Sequence, residues 1–447
     1  MAAKGQFNTK FGIIAATVGS AVGLGNIWRF PYEAGVHGGG AFLILNIIFV
    51  LLLGIPVMCA EFLIGRHSGK DVCSAFSCFE GGRKWQVIGW MGILASTLIL
   101  GFYSVVAGWT VEYIWQSFIS FGGDSTPDKL HNRFVAFCSD GWNPLLWTLL
   151  FLLANYFIVI RGVEKGIEKM SNILMPLLFL ILIAFAVNSL CMPQAGRGLT
   201  FLFKPDFTAI TPSVVLGALG QAFFSLSLGL GCLITYASYF KPDTPLVKTA
   251  AIAGGLDSLV AIMAGVIIFP AVFTFGQEPA AGPQLVFEVL PSIFCNMPAG
   301  MVWSVLFFIL LFVASLTSTL SLFETNVAFL TGRMGMKRVK AVSLITAIVI
   351  FLSALCSLAF GPLSKVTLFG KNFFDLFDYV SSNILLPLGG LLSSVFVGWF
   401  VERRIVRSEF MGDNPSKGKK AVVRTLIFCL RYIAPIGIGL VFLFGIL

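Results

Sequence analysis

Six polar residues lie within strongly apolar stretches of the sequence, and each offers an oxygen atom. They are Asn26, Ser225, Ser227, Asp257, Thr317 and Ser318. Amide, hydroxyl and carboxylate oxygens are the ligands that hard cations prefer. Polar groups are costly in apolar surroundings, so their presence there predicts an ion-binding or ligand-binding site. The three histidines lie far apart, which argues against a histidine metal site.

Glycines interrupt two of these apolar stretches, at 19–26 (GSAVGLGN) and 225–231 (SLSLGLG). Glycine costs about 1 kcal/mol in a helix interior relative to alanine, so each cluster predicts a break in a helix. Broken helices expose backbone amides and carbonyls, which is tolerated where they line a cavity. The alternative is close helix packing, because Gly19 and Gly23 also form a small-xxx-small pattern. A dinucleotide-binding loop is excluded by the spacing and by the lack of a βαβ context.

Four carboxylates also lie within apolar stretches: Glu61, Asp257, Glu324 and Asp378. Each predicts either a functional site or a structural ion pair, and the residues alone do not separate the two.

The composition of the chain predicts which structural elements position these residues. The chain of 447 residues is 57% hydrophobic and 11% charged, with a mean hydropathy of +0.91. This composition excludes a soluble multidomain enzyme and predicts an all-α integral membrane protein. Windows of about 20 apolar residues divide it into eleven predicted spans. They are 11–36, 41–64, 87–119, 145–160, 167–191, 212–240, 249–277, 299–331, 341–359, 373–401 and 421–447.

Most of the 30 Lys and Arg residues fall in alternate loops, on the side of the amino terminus. The positive-inside rule therefore predicts a cytoplasmic amino terminus and, with eleven spans, a carboxyl terminus outside. This distribution accounts for the net charge of +9 without a nucleic-acid partner. The first apolar stretch lacks a signal-peptide layout and is expected to be retained.

The sequence resembles the neurotransmitter:sodium symporter family, specifically its bacterial amino-acid transporters. The motifs that carry the resemblance are 19–31 (GSAVGLGNIWRFP), 38–42 (GGGAF), 54–56 (GIP), 221–229 (QAFFSLSLG), 235–239 (TYASY) and 315–318 (SLTS). It implies the leucine-transporter fold in a single transporter domain spanning 1–447. Two inverted five-helix repeats, about 11–191 and 212–401, would contain broken helices 1 and 6, followed by helix eleven at about 421–447.

The resemblance implies two sodium sites built from oxygen atoms. The first comprises the Ala21 carbonyl, Asn26, Ser225, Asp257 and the substrate carboxylate. The second comprises the carbonyls of Gly19, Val22 and Ala314 with the hydroxyls of Thr317 and Ser318.

It also implies a substrate site between the broken helices. The predicted residues are Ala21, Gly23, Leu24, Gly25, Ile99, Tyr103, Phe224, Ser225, Ser227, Leu230, Ser318 and Leu322. The amides of Leu24 and Gly25 and the Tyr103 hydroxyl would meet the substrate carboxylate. Gly23 occupies the position of an aspartate in monoamine carriers, which favours amino acids over amines.

Three further departures from the family bear on chloride. The residues are Asp257 in place of the sodium-site asparagine, Ala261 in place of a helix 7 glutamate, and Asn46 in place of the chloride-site tyrosine. We hypothesise that Asp257 supplies the negative charge, so that transport is independent of chloride.

Gate residues are also implied. Arg29 with Asp378 would close the outer side, with Tyr103 and Phe224 as a lid. On the inner side the usual ion pair is replaced by Lys4 and Gly332, so closure is expected to involve Tyr236, Tyr239 and packing of Phe7. Gly166 and Pro176 have the spacing associated with unwinding of helix 5, although a static kink has the same spacing.

The function predicted is sodium-coupled symport of a neutral hydrophobic or aromatic amino acid by alternating access, with a monomer sufficient, in the inner membrane of a bacterium. The alternatives are a carrier of another small zwitterion, or a channel-like or receptor-like membrane protein. The sequence contains no nucleophile or metal constellation of the kind that a membrane enzyme needs.

Overall fold

The computed structural model describes residues 5–119, 127–276, 285–411 and 416–446. These residues form helices and loops, with one isolated β-bridge between Leu368 and Lys371 and no β-strand among them. Numbered in chain order, the helices are α1 (Lys10–Ala21), α2 (Gly25–Val36), α3 (Gly40–Ser68), α4 (Gly82–Ile119), α5 (Pro127–Asp140), α6 (Trp142–Val159), α7 (Val163–Leu190), α8 (Ala195–Phe203), α9 (Pro212–Ser225), α10 (Cys232–Ala237), α11 (Leu246–Thr274), α12 (Val286–Cys295), α13 (Gly300–Gly332), α14 (Arg338–Leu358), α15 (Phe373–Phe400), α16 (Arg403–Met411) and α17 (Lys417–Phe444).

Within the described ranges, nine helices are long and apolar enough to cross a membrane: α3, α4, α6, α7, α11, α13, α14, α15 and α17. The pair α1 and α2 makes a tenth candidate span, bent by 53° at its break. In the sixth predicted span, α9 and α10 are separate short helices. The chain is therefore an integral membrane protein with nine or ten such spans, and the count of eleven stays a prediction.

Both predicted helix breaks are present. Val22 has an extended backbone that ends α1, and the chain resumes as α2 at Gly25. Between α9 and α10 the backbone enters the left-handed region at Ser227, Gly229 and Gly231 (φ 53°, 81° and 74°). Glycine adopts this conformation without steric cost. The Ser227 hydroxyl donates a hydrogen bond to the Ser20 carbonyl at 2.9 Å, which ties the second break to the first.

The two breaks lie at the centre of the helix bundle. Helix α1 packs against α7, α11 and α13, while α3 runs past both α9 and α10. The longest helices, α4 and α13, form the most extensive pair and border the breaks from the opposite side. Because the broken segments are enclosed on all these sides, their free backbone groups face protein and a central cavity instead of lipid.

Both predicted gating residues of helix 5 lie in helix α7. Gly166 sits in a wide first turn, Val163–Glu168, which follows Gly162 at a φ of 90°. Pro176 lies inside the regular helix that continues to Leu190. The segment is helical in this arrangement, and its unwinding stays a prediction.

Candidate functional site

A cavity of about 40 Å³ lies between the two breaks. Its lining residues are Ser20, Ala21, Gly23, Gly25, Ile99, Tyr103, Phe224, Ser225, Ser227, Leu230, Ser318, Ser321, Leu322 and Leu386. Every predicted substrate-site residue except Leu24 is among them. Leu24 adjoins the cavity through its backbone N–H, which donates to the Tyr103 hydroxyl at 3.0 Å.

Asn26, Ser225 and Asp257 form one buried cluster at the edge of this cavity. The Asn26 amide nitrogen donates to Ser225 Oγ at 2.8 Å and to Asp257 Oδ1 at 2.7 Å. Ser225 Oγ donates to both carboxylate oxygens of Asp257, at 2.9 and 2.8 Å. Three helix segments thus bring an amide, a hydroxyl and a carboxylate within ligating distance of one point. Asn26 Oδ1 accepts from the Gly23 N–H at 3.1 Å, which uses one of the two lone pairs of that oxygen.

The residues of the second predicted ion site also lie close together. Ser318 Oγ donates towards the carbonyls of Gly19, Val22 and Ala314, at 3.4, 3.1 and 3.1 Å. Thr317 Oγ1 lies 3.1 Å from the same Ala314 carbonyl. Carbonyls at the break in α1 therefore lie close to two hydroxyls and one carbonyl of α13. This set of neutral oxygens suits a hard monovalent ion.

Gly23 lies where there is no room for a side chain. A Cβ added there would lie 2.6 Å from Ser318 Oγ and 2.9 Å from the Tyr103 hydroxyl. The glycine therefore keeps backbone amides and the tyrosine hydroxyl together at one end of the cavity. Donors at a helix start suit an anionic group such as a carboxylate.

The sequence interpretation missed three residues of the cavity: Ser20, Ser321 and Leu386. Ser20 Oγ donates to Ser321 Oγ at 2.9 Å, which links α1 to α13 below Ser318. Ser321 lies one helical turn beyond Ser318, and that spacing was a signal that could have found it. Leu386 carried no comparable signal, because the wall contributed by α15 depends on tertiary packing.

At the predicted outer gate, Arg29 contacts groups other than Asp378. Its guanidinium lies 4.7 Å from the centre of the Phe224 ring and 3.6 Å from Glu33. Asp378 instead accepts a hydrogen bond from Ser382 Oγ at 2.7 Å. Among the described residues no Arg29–Asp378 ion pair is formed, because Glu33 stands one turn along the same helix. A vestibule of about 510 Å³ lies above, lined by Arg29, Glu33 and His37 among others.

Aromatic rings pack together at the predicted inner gate. Phe7 is fully buried and meets the rings of Tyr236, Tyr239 and Phe240 at 5.7 to 6.3 Å between centroids. Its N–H donates to the Tyr239 carbonyl at 3.2 Å. Packing of Phe7 at this position matches the expectation from the sequence; Lys4 lies outside the described residues.

A buried carboxylate lies beside these aromatic rings. Glu324 on α13 accepts from the Tyr239 hydroxyl at 2.8 Å and pairs with the Arg338 guanidinium at the start of α14. Arg338 also donates to the Val159 carbonyl, at the end of α6. Of the two roles expected for Glu324, a functional site or a structural ion pair, the structure shows the ion pair. Glu61 has another role, because it accepts from the Gly229 N–H of the second break at 2.7 Å.

Residues 5–9, which precede α1 and are named the amino-terminal arm, are held by Glu168 of α7. The carboxylate accepts from the backbone N–H groups of Asn8 and Thr9 and from the Thr9 hydroxyl, at 2.8 to 3.0 Å. Glu168 is the last residue of the wide turn that contains Gly166. The arm that packs Phe7 is therefore fastened to the start of helix α7.

Comparisons with known proteins agree with this arrangement. A family model described as the sodium:neurotransmitter symporter family matches residues 4–123 and 139–447. An uncharacterised sodium-dependent transporter of Bacillus subtilis, YhdH, is 39% identical over 98% of this chain and 97% of its own. The sodium- and chloride-dependent taurine transporter of Homo sapiens is 28% identical over 92% of this chain and 72% of its own.

A solved structure is similar along almost the whole chain. The crystal structure of MhsT in complex with L-phenylalanine shares 43% identity, covers 98% of this chain and 99% of that one, and superposes with a TM-score of 0.90. Broken helices around an oxygen-rich cavity define a secondary transporter. The chain belongs to the sodium:neurotransmitter symporter family. It is a sodium-dependent transporter of the membrane and not an enzyme.

Proposed function

We propose that the chain carries a neutral hydrophobic or aromatic amino acid together with two sodium ions, independently of chloride. The observation that carries this proposal is the buried cluster of Asn26, Ser225 and Asp257 beside a cavity with an amide-rich end. A substrate carboxylate at that end would lie next to the first ion. Ion and substrate would then bind better together than apart, which is the basis of coupling.

The substrate class is supported by the cavity walls. Ile99, Leu230, Leu322 and Leu386 make them apolar, and Phe224 covers the outer side. The similar MhsT structure contains L-phenylalanine. A charged side chain would be buried there without a charged partner among the lining residues.

Asp257 supports chloride independence. Its carboxylate brings a negative charge into the first sodium site, where other family members rely on a bound anion or a different carboxylate. Asn46, at the position of the chloride-site tyrosine, is buried, and its side-chain oxygen has no hydrogen-bond partner among the residues that the structure describes.

The architecture proposed for this function has eleven spans, with repeats at about 11–191 and 212–401 and a further helix at about 421–447. The amino terminus and the basic loops face the cytoplasm of a bacterial cell, the carboxyl terminus lies outside, and a monomer suffices. Arg29, Asp378, Tyr236, Tyr239, Gly166 and Pro176 are proposed to open and close the two sides in turn.

The energy of two sodium ions suffices for accumulation. Each ion entering down a tenfold gradient and 100 mV releases about 1.4 plus 2.3 kcal/mol, so two release about 7 kcal/mol. This could sustain a gradient of about five orders of magnitude for the substrate.

Uptake by purified protein in liposomes tests the proposal. We expect labelled phenylalanine or leucine to accumulate with an inward sodium gradient, equally well in chloride and in gluconate. Unlabelled apolar amino acids should compete, whereas aspartate and lysine should not. Uptake that vanishes in gluconate would overturn chloride independence, and currents far above carrier turnover would indicate a channel instead.

A further inference from the structure

A basic segment connects the last two described spans. Helix α16 lies between the end of α15 and the start of α17, and its buried Val406 faces the bundle. Ile405 and Phe410 pack against the same core. The exposed bases of this segment form what we name the basic face: Arg403, Arg404, Arg407, Lys417, Lys419, Lys420 and Arg424.

The charge of the basic face is not neutralised by the described protein. None of its seven bases takes part in a salt bridge among the described residues. The one acidic residue described within α16, Glu409, is engaged by Arg66 and His67 of α3. Glu402 lies exposed at the edge next to Arg403. A strong positive field therefore remains on this surface.

Aromatic residues place the basic face at the membrane surface. Trp399 and Phe400 are more than half exposed at the end of α15, directly before α16. Trp85, at the start of α4, packs at a tilt against Phe400 with 4.8 Å between ring centroids. Tryptophan and other amphipathic rings concentrate at the level of lipid headgroups. The bases that follow therefore lie at headgroup level and beyond.

We propose that the basic face is a binding surface for the headgroups of anionic phospholipids. Clusters of four to eight Lys and Arg directly beside a membrane span attract anionic lipids. A short helix with an apolar inner side and an arginine-rich outer side is suited to the membrane interface. Arg403 to Arg407 directly follow the end of the span α15, and Lys417 to Arg424 begin the span α17. The bases therefore lie next to the bilayer, and lipid is the anion they meet first.

The same segment is connected to the predicted inner gate, where Phe7 packs against Tyr236. Arg66 Nε donates to Glu409 Oε2 at 2.6 Å, and its guanidinium also reaches the carbonyls of Pro242 and Thr244. These carbonyls follow α10, the helix that supplies Tyr236. Headgroups that hold α16 in place therefore stabilise the arrangement described here, and the melting temperature reports their binding.

The test uses the purified full-length protein in neutral detergent micelles, titrated with phosphatidylglycerol or with phosphatidylcholine. One variant combines Arg403→Gln, Arg404→Gln, Arg407→Gln and Lys420→Gln. The matched control combines Arg83→Gln, Lys84→Gln, Lys337→Gln and Lys340→Gln, which removes the same charge from exposed bases of other loops on this side. A third variant, Lys417→Gln with Lys419→Gln and Lys420→Gln, leaves α16 intact.

We expect phosphatidylglycerol to raise the melting temperature of the wild type and of the matched control, and phosphatidylcholine to have little effect. Removing four bases should raise the half-maximal phosphatidylglycerol fraction at least about tenfold, and removing three should raise it by a smaller factor. Equal losses in both four-residue variants would reveal only a general surface potential and overturn the proposal. So would an equal response to inorganic phosphate, or an undiminished response in the variants of the basic face.

Discussion

Asp257 is the residue on which the proposed ion chemistry most depends. It is buried beside two neutral partners, Asn26 and Ser225, and it carries the only formal charge of that cluster. Replacing it with Asn keeps the shape and removes the charge. Because the charge of the ligands tunes cation affinity, we expect the half-saturating sodium concentration for uptake to rise about tenfold or more.

The measurement is amino-acid uptake as a function of sodium concentration in proteoliposomes. Glu402→Gln serves as a control, because that carboxylate is exposed and distant from the cavity in sequence and fold. If chloride restores sodium affinity to the Asp257→Asn variant, the carboxylate supplies the charge that chloride would otherwise supply. Unchanged sodium dependence would contradict the assignment.

Gly23 makes a second prediction at the scale of one residue. Gly23→Ala places a methyl group 2.6 Å from Ser318 Oγ and 2.9 Å from the Tyr103 hydroxyl, so one of them must move. Both belong to the predicted substrate site. We expect at least a tenfold loss of substrate affinity in equilibrium binding, a change of about 1.4 kcal/mol.

Gly220→Ala is the matched control, because an added methyl group at Gly220 meets no atom within 4 Å. It lies in α9, so alanine should also favour the helix slightly. Equal losses in the two variants would mean that Gly23 has no special role in the cavity.

At the scale of elements, the amino-terminal arm should control access from the inner side. Phe7 is the fully buried ring by which the arm packs against α10. Phe7→Ala removes this ring and should destabilise the packed arm by about 3 kcal/mol or more. We expect faster hydrogen exchange in α10 and in the first turn of α7, where Glu168 holds the arm. Phe11→Ala, at a half-exposed ring of α1, should leave both segments protected.

The attachment of α16 should depend on pH. Burial raises the pKa of Glu409, but the hydrogen bond from His67 and the charge of Arg66 outweigh it and hold the pKa below the usual value. A carboxyl whose pKa is lowered by folding stabilises the protein above its unfolded pKa, and this contribution is lost as the pH falls through the folded value. Glu409→Gln should therefore lower the melting temperature at pH 7.

In acid the wild type and the Glu409→Gln variant should converge, because the wild-type carboxyl is then protonated. Convergence is expected only well below the usual glutamate pKa of about 4.3, because folding lowers the pKa of Glu409. Glu402→Gln, on the same segment, should show no such pattern. A difference between wild type and Glu409→Gln that persists unchanged at pH 3 would contradict the proposed contribution.

The helix breaks could be predicted because their cause is local. Glycine clusters at 19–26 and 225–231 weaken the helix wherever the chain folds, and the breaks occur there. The observed partner of Arg29 also carried a local signal, because Glu33 lies four residues along the same helix. A pair with Asp378 depends instead on how α15 approaches α2, which the sequence does not show. Leu386 entered the cavity for the same tertiary reason, and among the missed cavity residues only Ser321 carried a periodic signal.

At the scale of the whole molecule, ion and substrate sites join separate parts of the chain. Asn26 follows the first break, Ser225 precedes the second, and Asp257 lies in α11. Ligands that bind the folded arrangement raise the melting temperature according to their affinity. Because a bound sodium ion and the substrate carboxylate would share this cluster, each should strengthen binding of the other.

We therefore expect sodium and phenylalanine together to raise the melting temperature by more than the sum of their separate effects, with potassium as the ionic control. Asn26→Ala removes the side chain that links the cluster to the first break and should reduce the joint effect to that sum. Asn143→Ala, at an exposed position of α6, should preserve the joint effect. If sodium and substrate act independently in the wild type, they do not share the proposed site, and coupling must arise from the movement of the helices instead.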